Sequence, residues 1–336
     1  MTKYIKNPII VSILFFVFSV IFLFIFLNKT SRDSLIEQIQ HRQQMSVRAG
    51  ANSIDTFLNA AGKSAVILAD NPDRKVLDSF TRLWADTGIS GLVVTDKNGI
   101  AIINSNPQGT RDTGTDLSGR DYFKWANKVN DSSYSVFPPV VAKLGPAKGK
   151  YIVAVSSPLF SNNHFNGVLT IAIPLSELTQ KYIQNLKVLD SSRVYLITKE
   201  GEIIYTDRPE LTGKNIQNMF NSNFLGKDKV VETFLSELQR PDETKLKLSM
   251  PNLETNKLES YLISAAPISV SDQLWKLVVV TPEKDLLMFT YKTFRTQMLG
   301  TFIIVAIFIA LTLRMSRDSG YHEAVVDEHK IHKITS

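Results

Sequence analysis

No cysteine occurs among the 336 residues, which excludes disulfide staples, thiolate catalysis and cysteine-ligated metals. Basic residues exceed acidic ones by six, yet they never gather into a run of five, and no helix-turn-helix pattern accompanies them. Nucleic acid is excluded as a partner on that ground. The sequence also lacks H-E-x-x-H, G-x-S-x-G, P-loop and protein-kinase signatures, so an enzyme has no constellation to stand on. His329-x-x-His332 has helical spacing for metal ligands, but in a short tail it reads as exposed polar surface. No cofactor is implied.

Charge is missing in two places where its absence is informative. None lies between Lys6 and Lys29, and none between Arg295 and Arg314. Pro8 to Leu27 is almost wholly Ile, Val, Leu and Phe, and about twenty such residues cross a hydrocarbon core of ~30 Å. A cleavable signal peptide would be shorter and end in small residues, which Phe26-Leu27-Asn28-Lys29 does not. The first segment therefore reads as a retained anchor, and Thr296 to Leu313 as a second span. Two spans put both termini on one side. Flanking Lys and Arg residues are nearly balanced across each span, so the positive-inside rule is indecisive. The tails are assigned to the cytoplasm because the long loop is the sizeable folded region.

Proline is absent from Ser31 to Ala69, which predicts one long helix. Ile54, Leu58, Ala61, Ala65 and Leu68 follow 4-3-4-3 spacing and give its C-terminal half one apolar stripe. The more polar N-terminal half reads as an exposed stalk. Asn71-Pro72-Asp73 ends the helix.

Beyond it one pattern is written twice. Apolar runs flank Lys97-Asn98-Gly99 between Gly91 and Asn104, a hairpin signal. The layout recurs from Val194 to Tyr205. Leu117-Ser-Gly-Arg120 is echoed by Leu211-Thr-Gly-Lys214. Gly167 to Leu178 is echoed by Trp275 to Leu286. Each copy predicts a hairpin, a helical segment, two longer strands (Tyr151–Ser156 and Val168–Ile173; Leu258–Ala265 and Leu274–Thr281), and a helix starting with Pro174 or Pro282 in its first turn. Short connections favour antiparallel pairing. The second closing helix meets no breaker before Arg314 and should run into the second span.

Three segments carry a family resemblance: Asp116-Leu-Ser-Gly-Arg-Asp-Tyr-Phe-Lys-Trp-Ala126, Gly149-Lys-Tyr-Ile-Val-Ala-Val-Ser-Ser-Pro-Leu159, and Asn166-Gly-Val-Leu-Thr-Ile-Ala-Ile-Pro-Leu-Ser-Glu-Leu178. With the two spans they resemble the double Cache (dCache) sensor regions of bacterial chemoreceptors, sensor kinases and cyclic-dinucleotide enzymes, over about residues 1–313. The implied fold is α+β: two tandem PAS-like antiparallel-sheet modules on a long N-terminal helix, flanked by two transmembrane helices. The implied organisation is a cytoplasmic tail 1–7, span 8–27, stalk helix 28–70, membrane-distal module 71–180, membrane-proximal module 181–282, return helix 283–295, span 296–313 and cytoplasmic tail 314–336, in a bacterial inner membrane.

The resemblance puts a small-molecule site in the distal module. Family members that bind amino acids carry R-x-W-[YF], in which arginine holds the ligand carboxylate and aromatic residues wall it. Arg120 and Phe123 match, with Tyr122 in the tryptophan position. The family's later aspartates, which hold an ammonium group, are absent, and Ala172 falls where the last would be. A carboxylate or other small anion is expected rather than an amino acid. Tyr134, Lys143, Lys150, Tyr151 and Ser156 are added as wall candidates because the family lines its pocket near these strands. The plainer reading of Arg120 is a first-turn residue of a helix capped by Ser118, with Asp121 completing an S-x-x-D box. Tyr122, Phe123 and Trp125 read equally as core. The 23 residues after the second span are too few for an output domain. The expected partners are therefore the membrane and a second copy or a separate signalling protein; the competing reading is a membrane-anchored protein-binding module without a small ligand.

Overall fold

The computed structural model describes residues 8–216, 228–252, 257–270 and 273–334. The chain divides into two compact units, one comprising Ile39–Glu283 and the other the helical segments before and after it. The expected tail 1–7 lies outside the described residues.

The first helix, α1, spans Pro8–Asp70 and stops where Asn71-Pro72 denies the next turn. Helix α2 (Arg74–Leu83) follows, with Asp73 as N-cap accepting from the amides of Lys75 at 2.8 Å and Val76 at 3.2 Å. That satisfies donors a helix start leaves over.

Five strands come next: β1 (Gly91–Thr95), β2 (Ala101–Ser105), β3 (Ser135–Val141), β4 (Tyr151–Ser161) and β5 (His164–Pro174). They pair antiparallel in the order β2-β1-β5-β4-β3. Helix α3 (Asp121–Ala126) precedes β3, and α4 (Leu175–Tyr182) follows β5. The second copy repeats the plan with β6 (Arg193–Thr198), β7 (Ile203–Thr206), β8 (Thr244–Pro251), β9 (Leu258–Val270) and β10 (Gln273–Pro282), in the order β7-β6-β10-β9-β8. Helix α5 (Asp228–Gln239) precedes β8, and α6 (Glu283–Ile334) leaves β10. The repeat in the sequence is thus a repeat in topology. Both hairpins form where expected, the first turning at Gly99 with φ +84°, a conformation that costs other residues a clash at Cβ.

One core joins α1 to both sheets. Ile54, Leu58, Ala61 and Ala65 are fully buried against Val153, Val155, Leu169 and Ile171 of the first sheet, and the cluster continues to Leu196, Leu277 and Val279 of the second. Each large side chain so buried contributes about 1.5–3 kcal/mol.

Three expectations are corrected. The long strands are accompanied by β3 and β8, both edge strands. β3 hid behind Pro138-Pro139, which lack the N–H a central strand needs; its pairing shifts between Phe137 and Val140. Pro174 is the last residue of β5 and the N-cap of α4, with ψ 132°, not a first-turn residue. The polar half of α1 is not simply an exposed stalk, because Gln43 and Gln44 are buried.

α1 and α6 each contain a stretch long and apolar enough to cross a membrane. Phe16 of α1 stacks on Phe308 of α6 with centroids 3.8 Å apart.

Candidate functional site

Residues facing each other across antiparallel strands share a face, and this fixes what the first sheet presents on the side away from α1. Asn104, Val93, Thr170, Ser156 and Ser135 form one row across it, and Gly91, Ala172, Ala154 and Phe137 the next. The second row is built mostly of small residues, and Ala154 in it is fully buried. The two faces also differ in cover. On the α1 side Leu92, Leu169 and Ile171 are fully buried. On the far side Val93 and Ala172, although on inner strands, are only half-buried.

Helix α3 covers part of this face. Tyr122 meets Phe137 edge-on at 6.1 Å, Phe123 meets Phe165 at 5.7 Å, and Trp125 meets Phe137 at 5.7 Å. Both Tyr122 and Phe123 are buried with Ala154 and Val168, and burial pushes the Tyr122 hydroxyl up to about 12. They form an apolar lid over the far end of the face.

Arg120 is the N-cap of α3 in extended conformation, without a side-chain cap bond. The expected capping box does not form. Ser118 instead donates to Asp116 at 2.6 Å, and with its backbone N–H holds that carboxyl below the usual range. This frees the Arg120 guanidinium, whose Nη2 donates to the Val141 carbonyl at 2.6 Å. Its Nε is buried without a hydrogen-bond partner. Lys143 reaches the Asp116 carbonyl at 3.0 Å, binding the loop after β3 to the loop before α3.

Asn104, which the sequence reading passed over, is 2% exposed, and its Nδ2 also has no partner. Its Oδ1 accepts from Asn106 Nδ2 at 3.2 Å. A signal existed: asparagine follows the apolar run Ala101 to Ile103 within the strand, where a buried amide needs partners. Two buried N–H donors therefore stand unsatisfied, Asn104 on the edge strand β2 and Arg120 beside the opposite edge strand β3, each at a cost of about 1–3 kcal/mol. Nearby carboxylates are engaged, Asp116 with Ser118 of its own loop and Asp112 with the Gly145 amide of the loop after β3.

A cleft of about 300 Å3 opens at the end of the sheet, with Ser90, Pro107, Ala147, Lys150, Pro174 and Glu177 on its walls. Ala147 also packs with Ala142, Ile152 and Ala172, so the cleft adjoins the small-residue row.

Of the expected wall residues, Arg120, Tyr122, Phe123 and Ser156 are brought to this face or its cover. Ser156 is fully buried and bonds Thr170 at 2.9 Å. Tyr151 stands 53% exposed at the start of β4, opposite Val141. Tyr134 lies elsewhere: it packs into the α1 core and donates to Asn59 of α1 at 2.6 Å. In the second module the corresponding face is filled by Phe234 and Leu238 of α5 with Ile263, Ala265, Val278 and Val280. Among the described residues no group of three His, Asp or Glu could hold a metal.

Paired PAS-like sheets on one long helix, the first with a cleft at its end, define a tandem sensor-type α+β domain. A profile described as Cache domain matches residues 28–288, and the chain belongs to this double Cache family. A comparison with curated protein sequences finds no match. Solved structures share the fold. The ligand-binding domain of the Pseudomonas fluorescens chemoreceptor CtaA, solved with L-isoleucine, is 15% identical with TM-score 0.53, covering 77% of this chain and 99% of its own. The extracellular domain of a chain described as histidine kinase rpHK1S-Z16 is 16% identical with TM-score 0.54, covering 75% and 95%. Methyl-accepting Chemotaxis protein X is 15% identical with TM-score 0.51, covering 74% and 98%.

Proposed function

We propose that this chain is a two-pass membrane sensor that binds a small carboxylate, or another ligand rich in acceptor oxygens, on the far face of the first module. In this reading the first module is membrane-distal, the Cache domain is extracytoplasmic, both tails are cytoplasmic, and the signal passes to a partner signalling protein. The observation that carries the ligand class is the buried, unpartnered donor Nε of Arg120. An oxygen acceptor would satisfy it, and a guanidinium is shaped to hold a carboxylate by two bonds. The CtaA domain was solved with amino acids. Here Ala172 offers an ammonium group no carboxylate, and the nearby aspartates are occupied, so a ligand without that group fits better.

The test is a thermal-shift screen of the full chain in detergent against organic acids and amino acids. A ligand at a hundred times its Kd should stabilise by about 2.7 kcal/mol. Arg120→Ala should abolish that shift, while Tyr134→Phe should keep it. Unchanged affinity in Arg120→Ala would remove the arginine from the site. If no small molecule stabilises the chain, the protein-binding reading gains. Its support is the exposure of Ile67 at 72%, near the end of α1, and of Leu83 at 81%, at the end of α2.

A further inference from the structure

The inward stripe of α1 is apolar from Val47 onward, but its preceding positions are Gln40, Gln43 and Gln44, in the same i, i+3, i+4 spacing. Gln43 has no exposed surface. Its Nε2 donates to the Val279 carbonyl of β10 at 2.7 Å and the Leu262 carbonyl of β9 at 3.4 Å. Its Oε1 accepts from Thr281 Oγ1 at 3.0 Å, and that hydroxyl lies 2.8 Å from Ser192 Oγ. Gln44 donates to the Ala265 carbonyl at 3.2 Å and to Glu243 at 2.9 Å. Gln40 reaches the Leu246 carbonyl of β8 at 3.1 Å. Arg48 forks onto Glu243, its Nη2 at 2.6 Å. Thr281 stands two residues before Glu283, the first residue of α6, and Glu283 pairs with Lys247 of β8 at 2.8 Å.

We propose that this polar seam is a register lock. It fixes the axial position of α1 against the strand that becomes α6, so the roots of the two membrane-directed helices cannot slide past each other without breaking it. The reason is directional. Apolar packing changes gradually as a helix slides, whereas a shift of one residue, about 1.5 Å, takes an amide out of hydrogen-bond range. A seam built for stability alone would be apolar. This one leaves Gln44 Oε1 and Ser264 Oγ buried without partners, a cost that a leucine stripe would avoid. Fixing register is what isolated buried amides do in paired helices. The lock does not depend on which ligand the first module takes.

The absence of native cysteine allows a direct test in the full chain in membranes. One cysteine replaces Lys245 of β8, and a second is placed in turn at the exposed α1 positions His41, Arg42, Met45 and Ala49. A short bismaleimide then reports which position faces residue 245. One position should dominate in the native background. In Gln43→Leu/Gln44→Leu the ratio of the best to the next-best yield should fall roughly fivefold, the equivalent of about 1 kcal/mol of lost registration. The near-isosteric Thr281→Val should lower the ratio in the same direction and covers the case in which the double variant fails to fold. An unchanged ratio in folded variants overturns the lock, and so does a drop in melting temperature with the ratio intact, which would make the seam an ordinary stabilising contact.

Discussion

Gly62 occupies a point on α1 where no side chain fits. A Cβ there would lie 2.2 Å from the ring of Tyr134, and that ring is held by its hydroxyl on Asn59. Gly62→Ala would gain about 1 kcal/mol of helix propensity, but overlap with a fixed aromatic ring costs about 1–3 kcal/mol. Net destabilisation is expected in chemical denaturation. In a Tyr134→Ala background the overlap is gone and Gly62→Ala should stabilise, a sign reversal that a double-mutant cycle detects. Tyr134 also shows what a single residue hides. The sequence places it just before a strand, and nothing local says whether such a residue turns to α1 or to the far face. Arg120 is similar: the motif marks it, but only the engagement of Ser118 with Asp116 shows that its guanidinium is not part of a cap.

Lys276 on β10 is a device at the scale of an element. It is 1% exposed, and its ammonium reaches the carbonyls of Glu237 at 3.3 Å and Asp242 at 2.7 Å and the Thr244 hydroxyl at 3.4 Å. A cation at the C-terminal end of α5 complements the helix dipole and ties α5 and the following turn to the sheet. Burial lowers its pKa from 10.5 to about 8. Between those values the unfolded chain binds a proton that the folded chain does not, so Lys276 makes stability rise as pH increases from about 8 to 10.5. Lys276→Met should remove that part of the slope, measured as the difference between variant and native denaturation curves across the window. The edge strands show the same economy. β8 exposes Lys245 and Lys247 along its free side, which discourages pairing with another chain.

For the whole molecule, two helices long and apolar enough to span are carried by one continuous chain with the Cache domain between them. An arginine at the centre of such a span costs about 2.5–3.5 kcal/mol. Ile304→Arg should therefore lower the share of molecules in which the second span inserts, read as altered protease accessibility of a C-terminal tag, while the α1 anchor keeps the chain in the membrane fraction.

The sequence by itself determined the two apolar spans, the stripe on α1, both hairpins and the repeat, because each is local: it is written in hydropathy, periodicity and turn chemistry within one segment. It also fixed the absence of cysteine chemistry. Tertiary structure decided the rest. Gln40, Gln43 and Gln44 look like a solvated stalk until the carbonyls of β8, β9 and β10 are brought beside them. Asn104 is an ordinary strand residue until the sheet order places it in the row with Thr170 and Ser156. Those outcomes depend on which strands become neighbours and which face meets α1, and residues far apart in the chain settle both.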